Sequence, residues 1–170
     1  MDFLDIKEFI KDAIKYILFI IIVLVIAIYV IGLQQIIGDS MNPTLNNNDV
    51  IIVDKLTPKF INLKRGDIIS FYFEESKFLI KRVIGLPGEH IEIKNNKIYI
   101  NNEEINDYVT ANTSDFSLTE LGYKKIPENM YFVLGDNREN SLDSRDYRVG
   151  LIHKDNIIGK KIVRLWPLVN

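Results

Sequence analysis

The pattern of polar and apolar positions changes character at residue 33. From Tyr16 to Leu33, YILFIIIVLVIAIYVIGL runs 18 residues without a charge, nearly enough at about 1.5 Å per residue to span a hydrocarbon core of roughly 30 Å. The run predicts one membrane-crossing helix. Cleavable secretory segments carry apolar stretches of about 7 to 15 residues and end in a small-x-small site. Gln34-Gln35-Ile36-Ile37 offers no such site, so the helix is read as a retained anchor. Beyond residue 48 the apolar runs shorten to strand length: VIIV at 50–53, IISFYF at 68–73, FLIKRVI at 78–84, IEIK at 91–94, KIYI at 97–100, YFVL at 131–134 and IIGKKIVRLW at 157–166. They are rich in β-branched and aromatic residues. Asn95-Asn96, between Lys94 and Lys97, fits a two-residue hairpin turn because Asn tolerates positive φ. Outside the membrane run no stretch shows a 3.6-residue period, so the fold class is mostly β with antiparallel sheets. The polar stretch 102–127 reads as a surface loop or small excursion.

Lys7, Lys11 and Lys15 precede the apolar run, and the next basic residue is Lys55. The positive-inside rule then puts residues 1–15 in the cytoplasm, 16–33 in the bilayer and 34–170 outside, as one domain. With 21 basic and 23 acidic residues the net charge is −2, which argues against nucleic acid as a partner. The absence of cysteine removes disulfides and thiolate chemistry. Only two histidines occur, His90 and His153, and neither has metal-ligand spacing or the company of a triad. No metal or cofactor is expected.

A serine nucleophile would then need another base, and a lysine serves where burial disfavours its ammonium form. Lys81 interrupts FLIKRVI on the face shared with Leu79 and Val83, so an apolar surface would surround its amine. An edge-strand lysine that blocks aggregation fits the same strand. Arg82 points the other way and reads as a surface or ion-pairing group. Two polar stretches could supply partners, GDSMNPTL at 38–45 and GDNRENSLDSR at 135–145. Each is equally readable as a plain turn.

Together, GDSMNPTL, KRGDIISF (64–71), IKRVIGLPGE (80–89) and GDNRENSLDSR, in this order behind an amino-terminal anchor, resemble the sequence boxes of the bacterial type I signal peptidases. The resemblance implies a β-rich fold of antiparallel sheets with an apolar surface near the membrane. It implies a serine endopeptidase that removes signal peptides from secreted preproteins after small-x-small sequences, at the cell membrane. By this resemblance Ser40 is the nucleophile, Lys81 the general base, and Ser141 the hydroxyl that orients the lysine amine. Asp143 and Arg145 brace the site as an ion pair. Ile36, Met41 and Ile80 wall the substrate pockets. The Ser40 N–H supplies one oxyanion donor. Some relatives place a hydroxyl residue two positions before the nucleophile, where this chain has Gly38, so a backbone group or water would serve there. After Arg145, DYRVG delays a glycine that many relatives place sooner, which should alter only a local loop. Lys81 at the base position resembles the bacterial form, and the short single-anchor chain resembles the Gram-positive enzymes. Two other readings are a self-cleaving Ser-Lys repressor, which would need a DNA-binding domain where this chain has an apolar helix, and a noncatalytic membrane-tethered β module.

Overall fold

A computed structural model describes residues 3–74 and 77–167. The outermost residues of the expected first and last segments, 1–2 and 168–170, lie outside the described residues. Helix α1 (Phe3–Val25) continues through a π-helical stretch at Ile26–Val30. There follow β1 (Ile31–Gln35), β2 (Val50–Asp54), a short α2 (Thr57–Phe60), β3 (Ile68–Glu74) and β4 (Lys77–Gly85). The chain goes on through β5 (Ile91–Lys94), β6 (Lys97–Ile100), β7 (Glu103–Ile105), β8 (Phe116–Ser117), β9 (Met130–Leu134), β10 (Ile152–His153) and β11 (Ile157–Trp166). The strands pair antiparallel throughout, in a seven-stranded sheet ordered β1-β2-β11-β3-β4-β9-β10 and a four-stranded sheet ordered β7-β6-β5-β8.

The helix Ile6–Val30 is long and apolar enough to cross a membrane, and none of its membrane-length window is buried against the rest of the chain. Its end corrects the sequence reading. The apolar run was expected to stay helical to Leu33, but Ile31–Gln35 leave the helix and pair with β2, Gly32 opposite Val53. A Cβ at Gly32 would stand 3.0 Å from the Val53 side chain, so the glycine lets the two strands close. Val50–Asp54 supply the pairing partner that an isolated apolar run lacks, and the strand wins. Lys55 ties the helix end to the β domain: its N–H donates to the Val30 carbonyl at 2.9 Å and its Nζ to the Ile28 carbonyl at 2.6 Å.

The stretch 102–127 is likewise more ordered than a surface loop. It supplies both edge strands of the smaller sheet, β7 beside β6 and β8 beside β5, and buries Phe116, Leu118 and Ile126. Its polar composition hid those anchors. The Asn95-Asn96 turn forms as expected, with φ of 51° and 64° and Lys94 opposite Lys97.

Two of the three core clusters position the site. Ile69, Phe71, Val83, Tyr131 and Val133 pack on one face of the large sheet, and Ile36, Met41, Leu45, Ile51, Val53, Ile68 and Ile80 pack on the other. Successive residues of β4 therefore face different cores. β9 pairs with β4 only from Arg82 onward, so the first half of β4 presents a free edge on that side.

Candidate active site

The excursion between β1 and β2 carries Ser40. Its neck is closed by the Ile36 N–H on the Asp49 carbonyl at 2.8 Å and the Asn48 N–H on the Ile36 carbonyl at 2.9 Å. Met41 and Leu45 are 1% exposed and sink the excursion into the core, which leaves Ser40 half-buried at the rim. From the other side Asn137 clasps the same turn: its N–H donates to the Ser40 carbonyl at 3.0 Å and its side-chain amide to the Asp39 carbonyl at 3.1 Å.

Lys81 enters from β4, paired with Ile69 and flanked on its face by Leu79 and Val83. It is 1% exposed. Its Nζ donates to Ser40 Oγ at 2.7 Å and to the Ile80 carbonyl at 3.0 Å. Burial pushes its pKa down from 10.5 to about 8, while the carboxylates of Asp143 and Asp136 hold it from falling further. Desolvation is the dominant cause, because a buried ammonium loses hydration that two carboxylates at a distance do not replace. The alternative reading of Lys81 as an exposed edge lysine does not hold.

Ser40 and Lys81 open onto a cleft of about 440 Å³. Ile36, Met41 and Ile80 line it together with Ile37, Phe78, Leu79 and Leu142. Asp143 and Arg145 form a two-pronged ion pair, with Arg145 Nε to Oδ1 and an Nη to Oδ2 both at 2.9 Å, and Asp143 also accepts the Gly135 N–H at 3.0 Å. Arg145 reaches on to the Arg138 carbonyl at 2.6 Å.

Two expected details differ. The Ser141 hydroxyl is buried beside Gly135 but makes no hydrogen bond, to Lys81 or to any other group among the described residues. The Gly38 N–H, a possible oxyanion donor, instead donates to Asn47 Oδ1 at 2.9 Å, and its φ of +88° serves the turn that follows β1. The Ser40 N–H has no acceptor among the described residues. DYRVG folds into a local turn, with the Val149 and Gly150 N–H groups on the Asp146 carbonyl. His90 and His153 are engaged elsewhere, His90 with the Lys124 carbonyl and His153 with the Asp155 N–H.

Sequence reasoning left Arg82 as a surface or ion-pairing group and missed both its burial and the partners of the charges beneath the site. Arg82 is 9% exposed and is a buried ion-pairing group: it grips Asp136 through Nε at 2.8 Å and an Nη at 2.5 Å, and donates to the Gly66 carbonyl. Arg138, 2% exposed, pairs with both carboxylate oxygens of Asp107. One signal was available: Asp136, Arg138, Asp143 and Arg145 crowd one short stretch, more charge than a plain turn needs.

The family model described as signal peptidase, peptidase S26, matches residues 7–166. The chain is 39% identical over 171 residues to signal peptidase I P of Bacillus subtilis subsp. natto, covering 95% of this chain and 92% of that protein. It is 32% identical over 176 residues to signal peptidase IB of Staphylococcus aureus, covering 95% and 91%. The crystal structure of a signal peptidase I from Enterococcus faecalis V583 superposes with a TM-score of 0.52 at 36% identity, over 59% of this chain and 97% of that one.

Proposed function

Because the chain belongs to the signal peptidase I family and is a serine peptidase of that kind, we propose that it removes signal peptides from secreted preproteins through a Ser40–Lys81 dyad, cleaving after small-x-small sequences. The 2.7 Å contact between Lys81 Nζ and Ser40 Oγ, inside an apolar cleft, carries this reading. The neutral amine accepts the Oγ proton as Oγ attacks the scissile carbonyl carbon. The resulting ammonium then returns a proton to the departing amine, leaving an acyl-enzyme. Lys81 next takes a proton from water as it attacks the ester, and returns that proton to Ser40 Oγ as the signal peptide leaves, restoring the free serine and the neutral amine. The unpartnered Ser40 N–H is suited to the developing oxyanion, a role worth roughly 3 to 4 kcal/mol in comparable sites.

The free edge of β4 at Phe78–Ile80 can pair with an extended substrate, and the shallow walls of Ile36, Met41 and Ile80 admit only small side chains beside it. A clash in such a pocket rejects bulk more steeply than a methyl contact rewards fit. In this reading Ser141, whose buried hydroxyl is unpartnered beside Gly135, is the group that orients the amine. The helix Ile6–Val30 anchors the protein as a single span, with its N-terminal end cytoplasmic and the β domain outside, so that preproteins are met at the bilayer surface.

The test is cleavage of an Ala-x-Ala preprotein in detergent, with the residue before the scissile bond varied through Ala, Gly, Leu and Phe. Ala and Gly are expected to be cut and Leu and Phe spared by Ser40-dependent activity. Equal cleavage of Ala and Phe versions contradicts the specificity.

A further inference from the structure

We propose that a second, more polar groove on the other flank of the Ser40 turn binds the mature-side segment of the preprotein, the residues that follow the cleaved bond. The proposal rests on the reading of Ser40 as nucleophile. Ser40 and Met41 line the apolar cleft, whereas the very next residues, Asn42 to Thr44, line a separate groove of about 610 Å³. Its facing wall is Tyr108–Ala111, and Asn137 lies between the walls. A polypeptide held across Ser40 has to leave the apolar cleft at that point, and this groove is continuous with the turn it must pass.

The two depressions differ in chemistry as the two products do. The first is mostly apolar, walled by Phe78, Leu79, Ile80 and Leu142, whereas the second sets the amides and hydroxyls of Asn42, Thr44, Thr110 and Asn137 among Pro43, Tyr108, Val109 and Ala111. The start of a mature secreted chain is an ordinary hydrated polypeptide, for which amide and hydroxyl groups are the suitable partners.

The facing wall also offers unpaired backbone. The N–H groups of Val109, Thr110, Ala111 and Asn112 and the carbonyls of Val109 and Thr110 have no partner among the described residues. On either side the chain is pinned: the Tyr108 N–H is held by Asp107 Oδ1 at 2.7 Å and the Thr113 N–H by Asn96 Oδ1 at 2.9 Å. Asp107 is in turn gripped by buried Arg138, and the Tyr108 ring lies 5.0 Å from the Arg82 guanidinium. A held segment with free donors and acceptors is a template for an added extended strand. At about 3.3 to 3.6 Å per residue, three or four residues beyond the bond would lie along it.

Charge gives the groove a preference. Asp136 is neutralised by Arg82 and Asp107 by Arg138. Glu139 lines an adjoining depression that shares Val109, Thr110, Ala111 and Asn137 with this groove, accepts a hydrogen bond from the Asn112 amide and has no cationic partner among the described residues. An acidic residue arriving there is repelled.

The experiment uses the full-length protein in detergent and C-terminally amidated Ala-x-Ala peptides, identical up to the bond and carrying one or five residues after it. A second pair of peptides carries Asn or Asp at the third position after the bond. The longer peptide is expected to gain about tenfold in kcat/KM, mainly through KM. Ala111→Trp, which fills the groove, is expected to shrink that gain to about twofold or less. Asp in place of Asn should cost about threefold, and Glu139→Gln, on an exposed side chain, should relieve roughly half of that penalty. Equal kcat/KM for the one-residue and five-residue peptides overturns the proposal while leaving Ser40-dependent catalysis standing. A length gain that survives in a folded Ala111→Trp, or an Asp penalty unchanged in Glu139→Gln, overturns the placement in this groove. Absence of Ser40-dependent cleavage of every peptide overturns the groove and the catalytic reading together.

Discussion

A lysine amine that is 1% exposed and 2.7 Å from a serine hydroxyl links activity and stability in opposite directions. With a pKa of about 8 the amine is about one-tenth neutral at pH 7, far more than an ordinary lysine supplies. The kcat/KM for a small-x-small peptide should therefore climb with pH along a limb centred near 8, and a limb near 10.5 in a pH-rate profile would argue that the base is exposed. In the folded protein the amine titrates at about 8 and in the unfolded chain near 10.5. Between those values the unfolded chain holds more protons, so this group's contribution to stability rises with pH from about 8 to 10.5. Below about 8 the full cost of charging a buried amine is in place, about 3 kcal/mol from that gap. Lys81→Met is accordingly expected to abolish cleavage while raising the urea midpoint at pH 7. Ser40→Ala, Lys81→Met and the double variant should lose activity to similar extents, since the two act as a unit. At this scale the apolar face around Lys81 was legible in its strand, but its pairing with Ser40 followed only from the family resemblance, since an edge-strand lysine fits the same pattern. The Gly38 hydrogen bond was not, since Asn47 is only one of three adjacent asparagines.

β4 brings the two halves of the site together: its first half keeps a free edge, Lys81 faces one core, and Arg82 faces the other and locks onto Asp136. The stretch after β9 closes over the Ser40 turn, and Gly135 is the point of contact. A Cβ there would lie 2.0 Å from Ser141 Oγ and 2.6 Å from the Ser40 carbonyl oxygen. Gly135→Ala is expected to cut kcat by about 100-fold, from sub-ångström displacement of Ser40, while costing only about 1 to 3 kcal/mol in urea unfolding. Arg82→Ala, by contrast, strands the buried Asp136 carboxylate and should cost about 3 to 5 kcal/mol of stability. The strands were readable where apolar residues alternate or cluster, and the Asn95-Asn96 turn where its chemistry is local. The conversion of Ile31–Gln35 from helix end to strand, and the edge strands within 102–127, depend on partners distant in the chain. Periodicity along one segment carries no record of such partners.

For the whole molecule, the helix end stitched by Lys55 fixes how far the cleft stands from the apolar helix, with Ser40 ten residues beyond Val30. A chain beginning at Ile31 should still cut soluble small-x-small peptides in detergent. It should lose most of its advantage on preproteins held in lipid vesicles, as a vesicle cleavage assay would reveal. The overall antiparallel β class was legible from the short strand-like runs. The two-sheet arrangement was not, because sheet order is set by which apolar faces meet across the core. The central claim, that Ser40 becomes acylated with Lys81 as its base, is tested most directly by intact-mass measurement of the full-length protein after exposure to a serine-reactive acylating probe. A single adduct mapping to Ser40, absent from Ser40→Ala and formed at least 1,000-fold more slowly in Lys81→Met, is the expected result. An adduct on another residue, or acylation of Lys81→Met at the wild-type rate, would contradict the claim.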